Sequence, residues 1–140
     1  MVPLNYLALI ASVFSAIFIG FLWYGPLFGK KWIALMGWTP EQIAEGQKKD
    51  MAKQIGLNAL SALAMAFVMT HFIKFAGAYL NISGVSAGLV AALLGLFGFV
   101  VPVLLGASVW EGRRWGLFYL TSSYYLASLT AMGLILGMWV

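Results

Sequence analysis

The stretch Leu22–Trp32, LWYGPLFGKKW, decides how this chain is placed. It follows about twenty mostly apolar residues and holds two Trp, one Tyr, one Pro, two Gly and two Lys in eleven positions. Trp and Tyr favour the headgroup level of a bilayer, and cytoplasmic loops are enriched in Lys and Arg. The stretch is therefore typical of the point at which a membrane-spanning helix leaves the bilayer on the cytoplasmic side.

The composition of the whole chain favours the same environment. The 140 residues are 63% hydrophobic and only 9% charged, whereas a soluble domain carries about 25% charged residues. There is no cysteine, which excludes disulfides, thiolate metal sites and cysteine nucleophiles. We interpret the net charge of +4 as charge that flanks a membrane, and predict no binding to nucleic acid.

Four segments are long and apolar enough to cross the roughly 30 Å hydrocarbon core as helices. These spans cover about residues 4–24, 55–78, 85–109 and 117–139, within one domain over residues 1–140. The start lacks the positive region and cleavage site of a signal peptide, so we expect span one to be retained. The predicted fold is all-α, a four-transmembrane-helix bundle with a short interfacial or cytoplasmic helix between helices one and two.

The cations predict the orientation of the spans. Seven of the eight Lys and Arg residues lie between spans one and two or between spans three and four. Both loops must lie on one side, which the positive-inside rule makes the cytoplasm, with both termini outside. Aromatic residues fall at the same predicted boundary: Trp23, Tyr24, Trp32, Trp38, Trp110, Trp115 and Tyr119.

The loop between spans one and two is the only long polar stretch. Thr39 is predicted to cap a helix with Pro40 in its first turn, and this helix is expected to run to near Lys53 and to continue toward span two. An earlier piece, residues 31–36, suits the membrane interface. The loop is either a headgroup-binding or partner-docking element, or a connector that its charges keep in water.

Small residues recur at helical spacing and predict close helix packing in lipid. The contacts that they form lie within one chain or between chains. Pro102 is expected to bend helix three. The stripes are Ala8, Ser12, Ala16 and Gly20 in span one, Gly84, Gly88, Ala91, Gly95, Gly98 and Gly106 in span three, and Gly133 and Gly137 in span four.

Polar groups inside spans are candidate functional residues. Asn58 and His71 lie on roughly opposite faces of span two, and Lys74 is expected to reach the outer headgroups. His71 is a proton-relay or ligand residue, or else it hydrogen-bonds to a Ser or Tyr of helix four. Ser123 and Tyr124 belong to a hydroxyl-rich surface that lines a polar cavity or joins helices.

No catalytic constellation emerges from these residues. There is one His, and all four acidic residues lie in the predicted cytoplasmic loops. Metal binding and general acid–base chemistry need more ligands and carboxylates than the spans offer. We therefore predict a protein that is not an enzyme, with no cofactor and no metal.

Residues 23–32 and the following Met36–Gly37 resemble the W-Y-x-P-x-F-G-x-x-W signature of a bacterial family of small four-helix membrane proteins of unknown function. His71–Ile73, Trp110–Glu111 and the ending from Tyr124 to Trp139 are similar too, while Gly25 stands where Ser is frequent. The resemblance implies a four-helix fold in a bacterial inner membrane. It implies no reaction.

Two functions remain open at this point. The first is a homo-oligomer or an accessory subunit of a membrane complex, whose inner face contacts anionic lipids through Trp23, Tyr24, Lys30, Lys31, Trp32, Trp110, Arg113, Arg114 and Trp115. The alternative is a small transporter or channel whose polar path is lined by Asn58, His71, Ser123 and Tyr124.

Overall fold

A computed structural model describes residues 2–139, so that Met1 and Val140 lie outside the described part. Within it the chain is all-α, without a strand. Its helices are α1 (Tyr6–Leu22), α2 (Gly29–Met36), α3 (Pro40–Gln47), α4 (Met51–Leu80), α5 (Gly84–Gly95), α6 (Val101–Trp110) and α7 (Trp115–Met138). Four helical segments are long and apolar enough to cross a membrane, namely Tyr6–Leu27, Met51–Leu80, Gly84–Trp110 and Trp115–Met138. The predicted four-span bundle is confirmed.

The four spans form a closed ring. Helix α7 packs most extensively on α5 and on α1, and α4 completes the ring between α1 and α5. The Asn5 side-chain amide donates to the Trp139 carbonyl oxygen at 3.2 Å, so the beginning of α1 and the end of α7 meet. We call this end of the bundle the terminal end. The opposite end, which carries Lys30, Lys31, Arg113 and Arg114, is the basic end.

Side-chain caps fix the starts of α1, α3 and α4. Thr39 Oγ1 accepts from the Gln42 amide at 3.2 Å, while the Gln42 side chain accepts from the Thr39 amide at 2.9 Å. This reciprocal pair is a capping box and confirms the predicted start of α3. Asp50 caps α4 with a single bond, in which its carboxylate accepts from the Lys53 amide at 3.2 Å.

Helix α3 ends earlier than its sequence suggests. It stops at Gln47, and a break over residues 48–50 separates it from α4, which begins at Met51. The expectation that one helix runs to near Lys53 is therefore wrong. The physical reason is Asp50, whose extended backbone and capping carboxylate begin a new helix there.

Two spans contain a wide π-helical turn, at Trp23–Leu27 and at Leu96–Val100. The first extends span one through the aromatic stretch, with a non-helical backbone at Gly25. The second precedes Pro102, and the Val101 amide there donates to the Leu96 carbonyl. The irregularity expected at Pro102 thus lies in the turn before it, where the wider turn accommodates a residue without an N–H.

The packed interior combines alanines with larger side chains such as Met132 and Leu136, while many Phe and Leu side chains lie on the outer surface. Ala8, Ala66 and Ala91 are fully buried, whereas Phe14 is 67% and Phe18 is 63% exposed. In lipid the apolar surface needs no cover, and close approach of helices supplies the attraction. The exposed apolar belt is therefore compatible with the lipid-facing surface of a multi-pass membrane protein.

Candidate functional site

The α5–α7 contact holds the terminal half of the bundle together. A Cβ atom added at Gly88 would overlap the Gly133 carbonyl, and one at Gly137 would lie 2.6 Å from the Gly84 carbonyl oxygen. The two backbones therefore touch, which only glycine at these positions permits. This part of the predicted stripe is a seam within one chain. Gly95, Gly98 and Gly106 face open space instead.

The α1–α7 contact is built differently, from polar and aromatic side chains. The Trp23 indole N–H lies 3.3 Å from both the Leu120 carbonyl and the Ser123 hydroxyl, and that hydroxyl donates to the same carbonyl at 2.8 Å. The Tyr124 hydroxyl donates to the Ala16 carbonyl at 3.3 Å. These bonds tie the exit of span one to α7 and satisfy Ser123 there.

A row of aromatic rings continues this contact from the bundle to α2 and the start of α3. Neighbouring centroids in the row lie 4.9–5.4 Å apart, within the range of favourable ring pairs. In order, its members are Trp38, Trp32, Tyr24, Tyr124 and Tyr125. The motif at the end of span one therefore packs as one cluster against α7.

Arg114 fixes α2 at its far end. Its guanidinium donates to the Ala34 carbonyl at 3.1 Å, and it lies beside Gly37, which ends the helix with a left-handed φ of 66°. A cation at the carbonyl end of a helix also complements the helix dipole. Leu35 rests on Gly116, where an added Cβ would lie 2.6 Å from the leucine Cδ2. Helix α2 is thus docked at both ends.

The other cations of the basic end are oriented outward. Lys30 and Lys31 are exposed at the start of α2 and form no ion pair with any residue in the range 2–139. Arg113 pairs with Glu111 at 3.2 Å, and both side chains are 62% exposed. Two predicted interface residues are exposed beside them, Trp110 at 88% and Trp115 at 52%.

A groove opens between α1, α4 and α7 near the basic end. Its volume is about 330 Å³, and its walls include Gly20 and Phe21, Gln54 and Asn58, and Tyr124 and Tyr125. Two residues predicted for a polar path, Asn58 and Tyr124, therefore line the same space. We call this space the amide groove, after the side chains of Gln54 and Asn58.

His71 lies away from the amide groove. Its Nδ1 is 2.9 Å from the Phe67 carbonyl oxygen of the same helix, and its ring packs between Phe67 and Phe75 with centroid distances of 4.7 and 6.4 Å. The expected hydrogen bond to helix four is not formed among residues 2–139, because this carbonyl one turn earlier lies within reach of the ring. Lys74 lines a separate 220 Å³ cleft at the terminal end.

Some residues of the site were not singled out by the sequence. Gln54 falls in the predicted loop. The sequence predicts Gly20 to be a packing residue, and Tyr125 is one of several hydroxyl-bearing residues of helix four. The available signal was the spacing of Gln54 and Asn58, four residues apart and so on one face of a helix. This spacing is informative only when both residues are known to lie on one helix, as they do because α4 begins at Met51.

Comparison with known proteins gives one result. A family model described as "Protein of unknown function (DUF1761)" matches residues 7–137, which is nearly the whole chain. No curated protein and no solved structure gives a significant match. The predicted resemblance to a family of unknown function is confirmed, and it assigns no activity.

Proposed function

We propose that this chain, which belongs to the DUF1761 family of proteins of unknown function, is a non-enzymatic membrane protein that holds anionic lipid headgroups at its basic end. It would act as a homo-oligomer or as an accessory subunit of a membrane complex. The observation that carries the proposal is the fixed position of Lys30 and Lys31, which are exposed on a helix docked at both ends.

The electrostatic reason is simple. A Lys near an anionic membrane surface contributes about 1 kcal/mol to the attraction. A flexible loop must order its lysines to use this attraction, whereas α2 already fixes the backbone of Lys30 and Lys31 at consecutive helical positions. Trp32 on the same helix packs against Tyr24 with a centroid distance of 5.1 Å and keeps that turn in place.

The proposed orientation has the basic end in the cytoplasm and both termini outside, in a bacterial inner membrane. The support is the distribution of cations, since Lys30, Lys31, Arg113 and Arg114 lie at one end of the bundle and the meeting of Asn5 and Trp139 at the other. The positive-inside rule assigns the cation-rich side to the cytoplasm.

The proposed assembly with further chains uses surface that the bundle leaves open. Gly95, Gly98 and Gly106 have no neighbouring atom within 4 Å of an added Cβ. Glycine faces let helices approach closely in lipid, as the Gly88–Gly133 contact within this chain does. This surface suits a second copy or another membrane subunit.

The test compares two lysine pairs that change the net charge equally. Lys30→Gln with Lys31→Gln removes the pair on α2, and Lys48→Gln with Lys49→Gln removes the exposed pair after α3. Anionic phospholipid retained by the purified full-length protein is measured by native mass spectrometry. We expect the α2 variant to lose most of the excess of anionic over zwitterionic lipid that the wild type retains, and the other variant to resemble the wild type. Equal losses, or no loss in either, would contradict the proposed site.

A second candidate, a small transporter or channel, rests on Asn58 and Tyr124, which line one groove. His71 and Ser123 do not join them there. The chain has no cysteine, so an Asn58→Cys variant can be labelled without background. A path through the membrane predicts reaction with an impermeant maleimide from both sides. Reaction from the basic end alone would remove this candidate.

A further inference from the structure

We infer that the amide groove is a binding site for the glycerol–ester portion of a membrane phospholipid. In this site the side-chain amides of Gln54 and Asn58 hydrogen-bond the lipid's ester oxygens, and Ile17 and Phe21 contact the start of an acyl chain. The site is separate from Lys30 and Lys31 and does not depend on the headgroup charge proposed to bind there.

The side-chain amides of Gln54 and Asn58 have hydrogen-bonding capacity that residues 2–139 leave unused. Each can donate two hydrogen bonds and accept others, yet no side-chain hydrogen bond of Gln54 or Asn58 is formed with any residue in the range 2–139. Both side chains are exposed, so a ligand that occupies the groove can reach them without displacing a partner within the protein. A ligand with hydrogen-bonding oxygens at this depth would satisfy both.

The depth of the groove fits the ester level of a lipid. Helix α4 has 30 residues, which makes it about 45 Å long, whereas the hydrocarbon core is about 30 Å thick. Centred in the bilayer, α4 therefore extends about 7 Å beyond the core at each end, the basic end included. Gln54 and Asn58 lie in the first and second turns, where acyl chains give way to headgroups.

The polarity of the walls changes along the groove in the same direction as in a lipid. At the basic end lie Tyr24, where α1 has ended, and Gln54, near the start of α4. Farther into the membrane the wall is formed by Ile17 and Phe21. Gly20 leaves room beside Tyr124, whose hydroxyl would lie 3.5 Å from an added Cβ.

A second groove of the bundle shows what sets this one apart. The space between α4 and α5 has a similar volume, about 370 Å³, but its walls include Met65, Phe72 and Phe99 and carry no polar side chain. Such a surface accepts any acyl chain. The amide groove also has no charged side chain in its walls, so we expect it to bind zwitterionic and anionic phospholipids equally.

The experiment places the full-length protein in nanodiscs of a zwitterionic phospholipid that carries a diazirine near the ester end of one acyl chain. After illumination, lipid adducts are mapped by mass spectrometry. The test variant is Asn58→Leu, and Gly20→Leu fills the groove from α1. His71→Leu is the matched control, because it is also a polar-to-apolar change on α4 but lies outside the groove. Circular dichroism and a single elution peak establish folding of each variant.

In the wild type we expect adducts concentrated on Ile17 and Phe21, and about a tenfold loss of them in Asn58→Leu with His71→Leu unchanged. The same loss is expected when the phospholipid is anionic. Undiminished adducts in folded Asn58→Leu would overturn the site, as would wild-type adducts spread evenly over lipid-facing Phe14 and Phe18. If only anionic lipid gave adducts, the amides would not be the recognising groups and the inference would fail. The lysine proposal is tested separately, since its variants leave the groove intact.

Discussion

The two halves of α7 pack against their neighbours in different ways. Toward the terminal end, Gly133 and Gly137 bring its backbone against that of α5. Toward the basic end, Tyr124 and the Trp23 contact hold it at side-chain distance from α1. One helix thus has a close backbone contact with α5 along one half, which we call the closed seam, and a side-chain contact with α1 along the other, which we call the aromatic half.

The difference shows where stability and where ligand contact reside. In lipid, where hydrophobic burial does not drive helices together, close backbone contact is a main source of attraction. The glycine seam supplies it and leaves no space for a ligand. The aromatic half relies on a few hydrogen bonds and ring contacts, and beside it the amide groove remains open.

The largest predicted effect comes from adding one methyl group to the closed seam. Gly88→Ala would press a Cβ atom against the Gly133 carbonyl, and backbone cannot move aside as a side chain can. Overpacking costs typically 1–3 kcal/mol, and we expect about 3 kcal/mol of the free energy of unfolding to be lost. Unfolding in mixed micelles of increasing dodecyl sulfate content measures it.

The control for the seam is Gly98→Ala, on the same span but with open space around the added Cβ. It should change the free energy of unfolding by no more than about 1 kcal/mol, the difference in helix propensity. Similar losses in the two variants would mean that the seam does not hold the bundle together.

An intermediate effect is expected where α2 is fastened to the bundle. Arg114→Gln removes the charged donor to the Ala34 carbonyl, and because the bond is exposed we assign it about 1 kcal/mol, below the range for buried charged bonds. Amide hydrogen exchange over residues 29–36 should become about fivefold faster. Arg113→Gln is the control, since among residues 2–139 its guanidinium pairs with exposed Glu111 alone. Equal acceleration in both variants would show that the Arg114–Ala34 bond does not hold α2 in place.

The smallest effect is expected at the aromatic half itself. Trp23→Phe keeps a ring but removes the indole N–H, whose two contacts at 3.3 Å are long. We expect a loss of about 0.5–1 kcal/mol in the free energy of unfolding. Trp110→Phe, at a side chain 88% exposed, should cost less. If Trp110→Phe lowered the free energy of unfolding more than Trp23→Phe, the Trp23 hydrogen bonds would not stabilise the bundle.

Much of the fold follows from the sequence because each signal is local. Apolar length gives the spans, and Thr39 with Pro40 gives the start of α3. The stripe at Ala8, Ser12 and Ala16 correctly indicates a buried face of α1. These features depend only on residues within one or two helical turns.

The arrangement of the site does not follow in this way, because a pattern on one helix says which face is buried but not which helix covers it. Nothing in the sequence pairs Gly88 with Gly133 or brings Arg114 to Ala34. His71 illustrates the same limit, since a carbonyl of its own helix and a hydroxyl of another were equally compatible with its position. Asp50 shows how much depends on one cap. Because α4 begins directly after it, Gln54 lies on that helix and lines the groove, whereas the sequence placed it in a loop.

The most direct test of the proposed function is the mass of the wild-type protein extracted from its own membrane in a lipid-preserving medium. We predict a species heavier than one chain, made of further copies or of other membrane subunits, which retains anionic lipid. A single chain that carries no lipid would contradict both the assembly and the headgroup-binding role of the basic end.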